Sequence, residues 1–283
     1  MASGHLFLQP PLGRAGSDWV NQGEQPGAAR KPFCVPSPKV TPMPKKTTLP
    51  VWELVASVIQ HSRCTLLYGP PGTGKSHAAH NADRDGRPLF TVTMTPDTPA
   101  AELRGHYVPV GNEFRWQDGP AIRAWREGGR LVINEIDHAG GDSLSFLLAC
   151  LDSPETACLT LPTGELVRPA RGFQAVATMN GDPDQDLPPA LRDRFPVAIE
   201  VTEAHPEGIK SLPQDLQAAA QGSVVATDPA RRLTLRAWLA FASLRSSIGA
   251  EAAAQAVFRS RAGDVLDALK IAKGPGQSEA VPS

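Results

Sequence analysis

The sequence predicts an α/β domain built on a parallel sheet, followed by a small all-helical domain. Short apolar segments rich in β-branched residues recur between residues 64 and 201, with helical patterns between them. No comparable segment follows residue 206. A glycine-rich octet at 69–76 stands between an apolar segment and a helical one. Strands that alternate with helices favour a parallel sheet covered on both faces.

Composition sets the broad class of the chain. The 283 residues are 41% apolar and 20% charged, which suits one large or two modest globular domains. The net charge of −1 gives no general attraction to nucleic acid or to an anionic membrane. No apolar stretch approaches the ~20 residues that span a bilayer, the first residues lack a secretory layout, and the four cysteines form no C-x-x-C pair. We therefore expect a cytoplasmic protein with reduced thiols.

The two ends of the chain differ from its middle. The first 50 residues hold nine of the 28 prolines, and such a segment cannot bury enough apolar surface to order itself. We expect 1–48 to be a Pro-rich N-terminal arm that is disordered in isolation, and 274–283 to be a flexible tail. The α/β domain then spans 49–205 and the helical domain spans 206–273.

The elements follow from local periodicity. A helix is expected at 51–61, and Thr98 is a plausible N-cap for a short helix at 99–104. The predicted strands are 64–68, 88–93, 130–134, 173–178 and 197–201, and the further predicted helices are one from Lys75, 119–127, 142–151, 233–244 and 250–270.

Two inserts interrupt this pattern. Alternating runs flank Gly111-Asn112 within 107–117 and Thr163-Gly164 within 160–168, which predicts two β-hairpins. Because neither belongs to a minimal α/β core, each should project from it. They are either contact surfaces for a substrate or a neighbour, or structural decoration.

Residues 69–76 read Gly-Pro-Pro-Gly-Thr-Gly-Lys-Ser, a complete G-x-x-x-x-G-K-[ST] phosphate loop in a strand-to-helix context. The glycines let backbone N–H groups curl around a polyphosphate, and the helix N-terminus adds a favourable field. Lys75 can reach the β and γ phosphates, and Ser76 can bind Mg²⁺. The octet predicts binding of a nucleoside triphosphate. The expected nucleotide contacts are Gly69, Pro70, Pro71, Gly72, Thr73, Gly74, Lys75, Ser76 and His77.

The segment 131–137 (Leu-Val-Ile-Asn-Glu-Ile-Asp) has the form of a Walker B strand. Glu135 is placed to orient or deprotonate an attacking water. Asn134 stands where an aspartate is usual, so it can hydrogen-bond a Mg²⁺-bound water but brings no charge. Asp137 either compensates for that loss or caps the helix that follows, and we favour the cap.

Three later polar residues complete the candidate site. Asn180 ends a buried strand and can hold the γ-phosphate or the lytic water, although a turn-forming Asn before Gly181 would look the same. Arg192 and Arg194 lie on a short predicted helix, where either can stabilise charge on phosphate or simply face solvent. Arg236 opens a helix of the second domain and can reach back to the nucleotide.

Four motifs in order resemble the AAA+ ATPases: the octet, Asn-Glu-Ile-Asp at 134–137, Thr-Met-Asn at 178–180 and Ala-Leu-Arg-Asp-Arg-Phe at 190–195. The resemblance covers roughly 48–270 and is closest to the MoxR/CbbQ-like branch (dynein-related, AAA_5-type), including the hairpin at 107–117. It implies a P-loop AAA+ parallel-sheet nucleotide domain with hairpin inserts, followed by a small helical lid, and it implies ATP and Mg²⁺ as ligands.

The resemblance also implies roles and partners. Asn180 becomes the sensor 1 amide, Arg236 the sensor 2 arginine, and Arg194 the finger inserted into the neighbouring subunit, with Arg192 as the fallback. The catalytic set is then Lys75, Glu135, Asn180 and Arg194, and Mg²⁺ is held by Ser76 and, through water, by Asn134. A trans-acting finger implies a homo-oligomeric ring, usually a hexamer, and the client in this branch often has a von Willebrand A domain.

Three functions remain to be separated. The first is a ring-forming ATPase that remodels or activates a partner protein. The second is an ATP-stabilised scaffold with weak hydrolysis, which Asn134 makes credible. The third, a nucleic-acid motor of restriction-type architecture, is disfavoured by the near-zero net charge and by the lack of an appended helix-turn-helix or zinc motif.

Overall fold

The computed structural model describes residues 49–82, 86–226 and 228–273. The predictions for the arm at 1–48 and for the tail at 274–283 lie outside the described residues. Among the described residues, no helix combines the length and apolar character that crossing a lipid bilayer requires.

The core is a five-stranded sheet in which every neighbouring pair is parallel. Its order is β2-β5-β8-β1-β9. These strands are β1 (Cys64–Tyr68), β2 (Leu89–Thr93), β5 (Arg130–Asn134), β8 (Gln174–Thr178) and β9 (Val197–Glu200). Each begins and ends within one residue of its predicted bounds, so the predicted parallel α/β fold is confirmed.

Helices cover this sheet and then continue alone. Those before β9 are α1 (Val51–His61), α2 (Lys75–Asn81), α3 (Ala100–Arg104), α4 (Pro120–Glu127), α5 (Gly141–Cys150), α6 (Pro183–Asp186) and α7 (Pro189–Asp193). Those after it are α8 (Pro206–Lys210), α9 (Gln214–Val224), α10 (Leu235–Ile248), α11 (Ala250–Phe258) and α12 (Ala262–Lys273). We call the part from α8 onward the helical region.

The sheet is buried on both faces. Successive residues of its central strands point to opposite faces, and helices cover each face. Leu66 and Leu131 pack with residues of α3, α4 and α5 on one face. Leu67 and Val132 pack with residues of α1 and α2 on the other. This double burial explains why the strands are continuous apolar runs rather than alternating ones.

The helical region has a separate apolar core. Three aromatic rings form its centre, with the Phe258 centroid 5.2 Å from those of Trp238 and Phe241. Leu216 and Ala220 of α9 pack against the same core.

Both predicted hairpins are present, as β3 (Gly105–Val110) with β4 (Glu113–Asp118) and as β6 (Leu159–Thr160) with β7 (Leu166–Val167). The first hairpin lies between α3 and α4 in the chain. At its base, Gly119 N donates to Arg104 O at 3.0 Å.

One arginine of α4 joins the two hairpins. Arg126 Nε donates to Asp118 Oδ2 at 2.7 Å, and its two terminal nitrogens donate to Glu165 at 2.6 and 2.7 Å. This bidentate geometry fixes the base of the first hairpin relative to the second.

A buried arginine anchors the helix that follows the phosphate loop. Arg130, at the start of β5, is 1% exposed, and its Nη1 donates to the carbonyls of Ala79 and Ala82 at the end of α2. Its Nε donates to Gln174 Oε1 of β8 at 2.8 Å. The charge therefore stabilises the C-terminal carbonyls of α2 and ties that helix to two central strands.

The structure corrects the predicted cap of α3. Pro99, not Thr98, precedes this helix, and the Thr98 hydroxyl instead accepts from Thr95 N at 2.9 Å. The free N–H of Ala100 donates to Asp142 Oδ2 of α5 at 3.1 Å. The first turn of α3 is thus satisfied by a residue distant in sequence.

Two features of the helical region also differ from expectation. The single helix predicted at 250–270 is divided, because Arg259 has a left-handed backbone (φ 54°) that ends α11. The helix α9 was not predicted at all.

Candidate functional site

The candidate site lies at the carboxyl edge of the sheet, where β8 stands between β1 and β5. A cavity of about 540 Å³ opens at this edge and extends to the start of α10. Ten of the predicted site residues line it: Pro71, Gly72, Gly74, Lys75, Ser76, His77, Asn134, Glu135, Asn180 and Arg236.

The phosphate loop has the backbone that its glycines make possible. Gly72 and Gly74 have φ values of 77° and 110°, in the left-handed region that side chains disfavour. The helical region also packs closely on the loop, since a Cβ at Gly72 would collide with the Thr234 side chain. Leu235 N donates to Gly72 O at 3.2 Å. The loop is therefore held between the sheet and the helical region.

Lys75 is buried (5% exposed), and its ammonium group faces the loop. Its Nζ donates to Gly69 O at 2.8 Å and to Pro70 O at 2.7 Å. Burial lowers the pKa of Lys75 to about 8, against the opposing influence of the Asp137 carboxylate. Thr73 is also buried, and its hydroxyl donates to Pro70 O. Gly69, Pro70 and Thr73 thus shape the loop from behind the cavity.

The end of β5 turns sharply into the cavity. Glu135 has a left-handed backbone (φ 55°, ψ 48°) and a half-exposed side chain. Such a conformation is unusual for a residue other than glycine and is often found at functional positions. Asn134 remains in the strand, and its Oδ1 accepts from the Thr178 hydroxyl at 3.2 Å. Amide and carboxylate are therefore side by side at the cavity wall.

Asp137 does not cap the following helix, so the favoured interpretation of this residue is wrong. The residue before α5 is Gly140, and α5 has no side-chain cap. Asp137 lies in a 3₁₀ turn (Ile136–His138), where its Oδ1 is buried without a hydrogen-bond partner. Because the turn at Glu135 redirects the chain, this carboxylate acts on the charge of Lys75 instead.

Two further residues reach the cavity from different elements. Asn180 follows β8 and Arg236 lies in the first turn of α10, and both side chains are exposed at the cavity. Motifs that are far apart in the sequence therefore meet at one cavity.

Arg194 is not part of this cluster. It lines a separate cavity of about 300 Å³, together with Asp152 and Asp193. Its Nε donates to Leu148 O at 3.1 Å, and Nη2 lies 3.6 Å from Asp152 Oδ1. Arg192 pairs instead with Asp184 Oδ1 at 2.7 Å. Neither arginine lines the cavity at the phosphate loop.

The donor set fits a magnesium nucleotide. A buried ammonium group whose hydrogen bonds go only to carbonyls can exchange them for stronger bonds to phosphate oxygens. The Ser76 hydroxyl and the Asn134 amide offer oxygen atoms, which Mg²⁺ prefers either directly or through water.

Comparison with known proteins agrees with this geometry. Residues 65–195 match the family model described as the AAA domain of the dynein-related subfamily. The match covers less than half of the chain and agrees, over this segment, with the resemblance of the motifs to the MoxR-like AAA+ ATPases. The motifs thus follow one another in the AAA+ order on a chain that forms the parallel sheet described above. Similarity to this family implies nucleotide binding.

Two relatives share this AAA+ segment. Protein NorQ of Paracoccus denitrificans (strain Pd 1222) is 40% identical over 139 residues, which are 48% of this chain and 51% of NorQ. The denitrification regulatory protein NirQ of Stutzerimonas stutzeri is 33% identical over 147 residues, 50% of this chain and 53% of NirQ. The chain spans about half the length of the curated relatives it matches.

Sequence reasoning missed several residues at this AAA+ site. Thr178 bonds to Asn134 and Thr234 packs on Gly72. Asp137 was considered as a compensating carboxylate or a helix cap, but its influence on Lys75 was not foreseen. Thr234 had a readable signal, because a threonine directly before a helix favours an N-cap, and its hydroxyl does accept from Ala237 N. The other two depend on contacts between segments that no local pattern encodes.

Proposed function

We propose that this chain is a ring-forming AAA+ ATPase that couples ATP binding and hydrolysis to the remodelling or activation of a partner protein. The observation that carries the proposal is the convergence of Lys75, Glu135, Asn180 and Arg236 on one cavity while Arg194 lines another. A site that lacks its finger within one chain is completed when a neighbouring copy supplies it. A closed ring, as in a hexamer, gives every site such a neighbour.

In the proposed reaction, water attacks the γ-phosphate of ATP in line with the leaving oxygen. Glu135 orients and deprotonates that water. Lys75 stabilises the developing negative charge, Asn180 positions the γ-phosphate, and the neighbour's copy of Arg194 adds a planar cationic fork. Bound Mg²⁺ supplies further neutralisation of the phosphate oxygens. Arg236 links this event to the helical region, which acts as a lid.

The client is proposed to contact the first hairpin. Its strands expose Phe114 (75%) and Tyr107 (47%), and Arg126 connects it to the second hairpin. Exposed aromatic residues of this kind are enriched at protein interfaces. Activation of a partner is also the role suggested by NirQ, whose name describes a regulatory protein. A client with a von Willebrand A domain is our specific proposal.

A second candidate function is an ATP-stabilised scaffold that hydrolyses slowly. Asn134 favours it, because an amide hydrogen-bonded to Thr178 adds no charge beside the metal. Binding would then matter more than turnover. We also propose a reducing cytoplasm as its location, which agrees with the free state of the buried thiols Cys64 and Cys150.

One experiment tests the proposal. ATPase rate and oligomer mass are measured for the full chain with ATP, with ADP and without nucleotide, each with and without DNA. The proposal expects ATP-dependent assembly and a measurable rate that DNA does not change. Assembly with almost no turnover selects the scaffold. A monomer under all conditions, or turnover that requires DNA, overturns the ring ATPase.

A further inference from the structure

A cluster of two histidines and a glutamate lies beside the phosphate loop. His77 follows Ser76 on α2, whereas His205 and Glu207 lie at the start of α8. One potential ligand atom from each residue lies within 4.8 Å of the other two. His77 Nε2 is already 3.0 Å from Glu207 Oε2, and the two imidazole centroids are 4.8 Å apart. Three ligating side chains thus converge from two segments about 130 residues apart.

The chemistry of this set suits a transition metal. Two imidazoles and one carboxylate form a ligand set that zinc uses when a fourth position stays open to solvent. Magnesium and calcium prefer oxygen ligands, so they are poor matches. His205 Nδ1 is buried and has no hydrogen-bond partner. The exposed side chains of His77 (48%) and Glu207 (74%) leave a path for an ion to enter.

The surroundings fix both imidazole rings. The Asn81 amide lies 3.2 Å from His77 Nδ1, so His77 Nε2 faces Glu207. The Trp52 ring packs edge-on against the His205 imidazole, with centroids 4.6 Å apart, and the backbone N–H of His205 donates to Thr73 O at 2.8 Å, which holds the main chain in place. Partners that orient a histidine through its other ring atoms are characteristic of metal sites.

We propose that His77, His205 and Glu207 bind one divalent transition-metal ion of the zinc class. The ion takes the place of the hydrogen bond between His77 Nε2 and Glu207 Oε2. His77 binds it through the lone pair of a neutral imidazole, so a protonated His77 releases one proton to solvent and a neutral His77 keeps its single proton on Nδ1. Because His205 packs against Gly74, the ion joins the phosphate-loop helix to the first helix after the sheet. A metal here stabilises that junction.

The test uses the full chain, stripped with a chelator and free of nucleotide. Co²⁺ is titrated while visible absorption reports tetrahedral coordination, and Zn²⁺ affinity is then measured by competition with a chromophoric chelator. We expect one ion per chain with tetrahedral Co²⁺ bands, and a rise in Tm on adding Zn²⁺. Because no nucleotide is present, the outcome does not depend on whether the chain hydrolyses ATP.

Two variants and a control decide the assignment. Glu207→Gln keeps the shape of an exposed side chain but removes its charge, and His205→Gln removes a ring ligand. Each should weaken Zn²⁺ binding by about 100-fold or more, beyond the loss typical of an orienting partner, and should abolish the Tm shift. Glu203→Gln, an exposed acid outside the cluster, should match the parent. Unchanged affinity in Glu207→Gln, or no binding to the parent chain, overturns the site.

Discussion

The cavity at the phosphate loop and the cavity at Arg194 differ in what each still requires. The first gathers Lys75, Glu135, Asn180 and Arg236 around the phosphate loop. The second is lined by two arginines, Arg63 and Arg194, beside Asp152 and Asp193. The first therefore offers most of a catalytic site, and the second offers a cation without a phosphate to bind. We infer that the two cavities act together only across a contact between copies.

The largest expected effect tests that contact directly. Arg194→Ala should lower kcat by about 10³ or more, the range for loss of an arginine finger, with little change in ATP affinity. Mixing Arg194→Ala chains with inactive Lys75→Ala chains should restore part of the rate, because each mixed interface can pair an intact loop with an intact finger. Steady-state ATPase assays over a range of mixing ratios measure this.

Arg192→Ala is the matched control, since Arg192 pairs with Asp184 outside both cavities. If Arg192→Ala proves the more damaging change, the two arginines exchange roles. If no mixture recovers activity, the two cavities do not meet in the assembly.

The next effect concerns the first cavity alone. Glu135→Gln should slow hydrolysis by about 10²-fold or more while leaving ATP binding intact, because the amide cannot accept a proton from water. The variant should accumulate as an ATP-loaded oligomer in size-exclusion chromatography with light scattering. Glu127→Gln, an exposed acid on α4, is the control. If Glu135→Gln hydrolysed ATP at the parental rate, Glu135 would not be the general base.

A smaller effect follows from the pKa of Lys75. Burial lowers this pKa to about 8, whereas a bound triphosphate raises it again. Nucleotide affinity should therefore be level below pH 8 and fall above it by up to about tenfold per pH unit, as the free lysine loses its proton. Folding stability should change in the opposite direction, rising from pH 8 towards 10.5 in the absence of nucleotide.

Fluorescent nucleotide titrations across this range measure the affinity profile. Terminal phosphate groups ionise near pH 6, so they do not obscure it. Lys75→Arg should bind more weakly but without a pH step, because arginine stays charged. A step of equal size in Lys75→Arg would assign the titration to another group.

The smallest expected effect concerns Asn134. Asn134→Asp adds one negative charge beside the metal and keeps an oxygen to accept from Thr178. An attraction of about 1 kcal/mol per charge pair at water-like dielectric should raise apparent Mg²⁺ affinity about fivefold or more. Mg²⁺-dependence curves of the ATPase rate measure it. Asn180→Asp, which places the charge nearer the phosphates, should slow turnover. Unchanged Mg²⁺ dependence in Asn134→Asp would place that side chain outside the metal shell.

The sheet could be predicted from sequence because its strands are apolar on both faces. The runs at 64–68 and 130–134 have no competing interpretation, and the structure gives them the same bounds. The motif order then placed the phosphate loop, Glu135 and Asn180 at one edge, since carboxyl ends of parallel strands meet there.

The helical region was harder because its packing residues are small. Helix α9 buries Leu216, Ala220 and Val224 at four-residue spacing, but the intervening Gln, Ala, Gly and Ser residues hide that stripe. The helix breaks at Arg259, a position where the sequence has neither a glycine nor a proline that would predict a break. Asp137 was misjudged because the chain turns at Glu135, which has a positive φ, so that the Asp137 carboxylate influences the charge of Lys75 and caps no helix.

The paired glycines at the neck of the first hairpin have a consequence for how the molecule can vary. A Cβ at Gly105 would collide with the Gln117 carbonyl of the opposite strand, and one at Gly119 with the Glu102 and Leu103 carbonyls of α3, so the chain enters and leaves the hairpin through nearly the same point. The hairpin tip around Gly111 is open, whereas Trp116 packs on the core and Asp118 bonds to Arg126 of α4, so the tip is the part that can vary without shifting the helices or the sheet. A new recognition surface can therefore evolve at this tip while the site at the phosphate loop stays as it is.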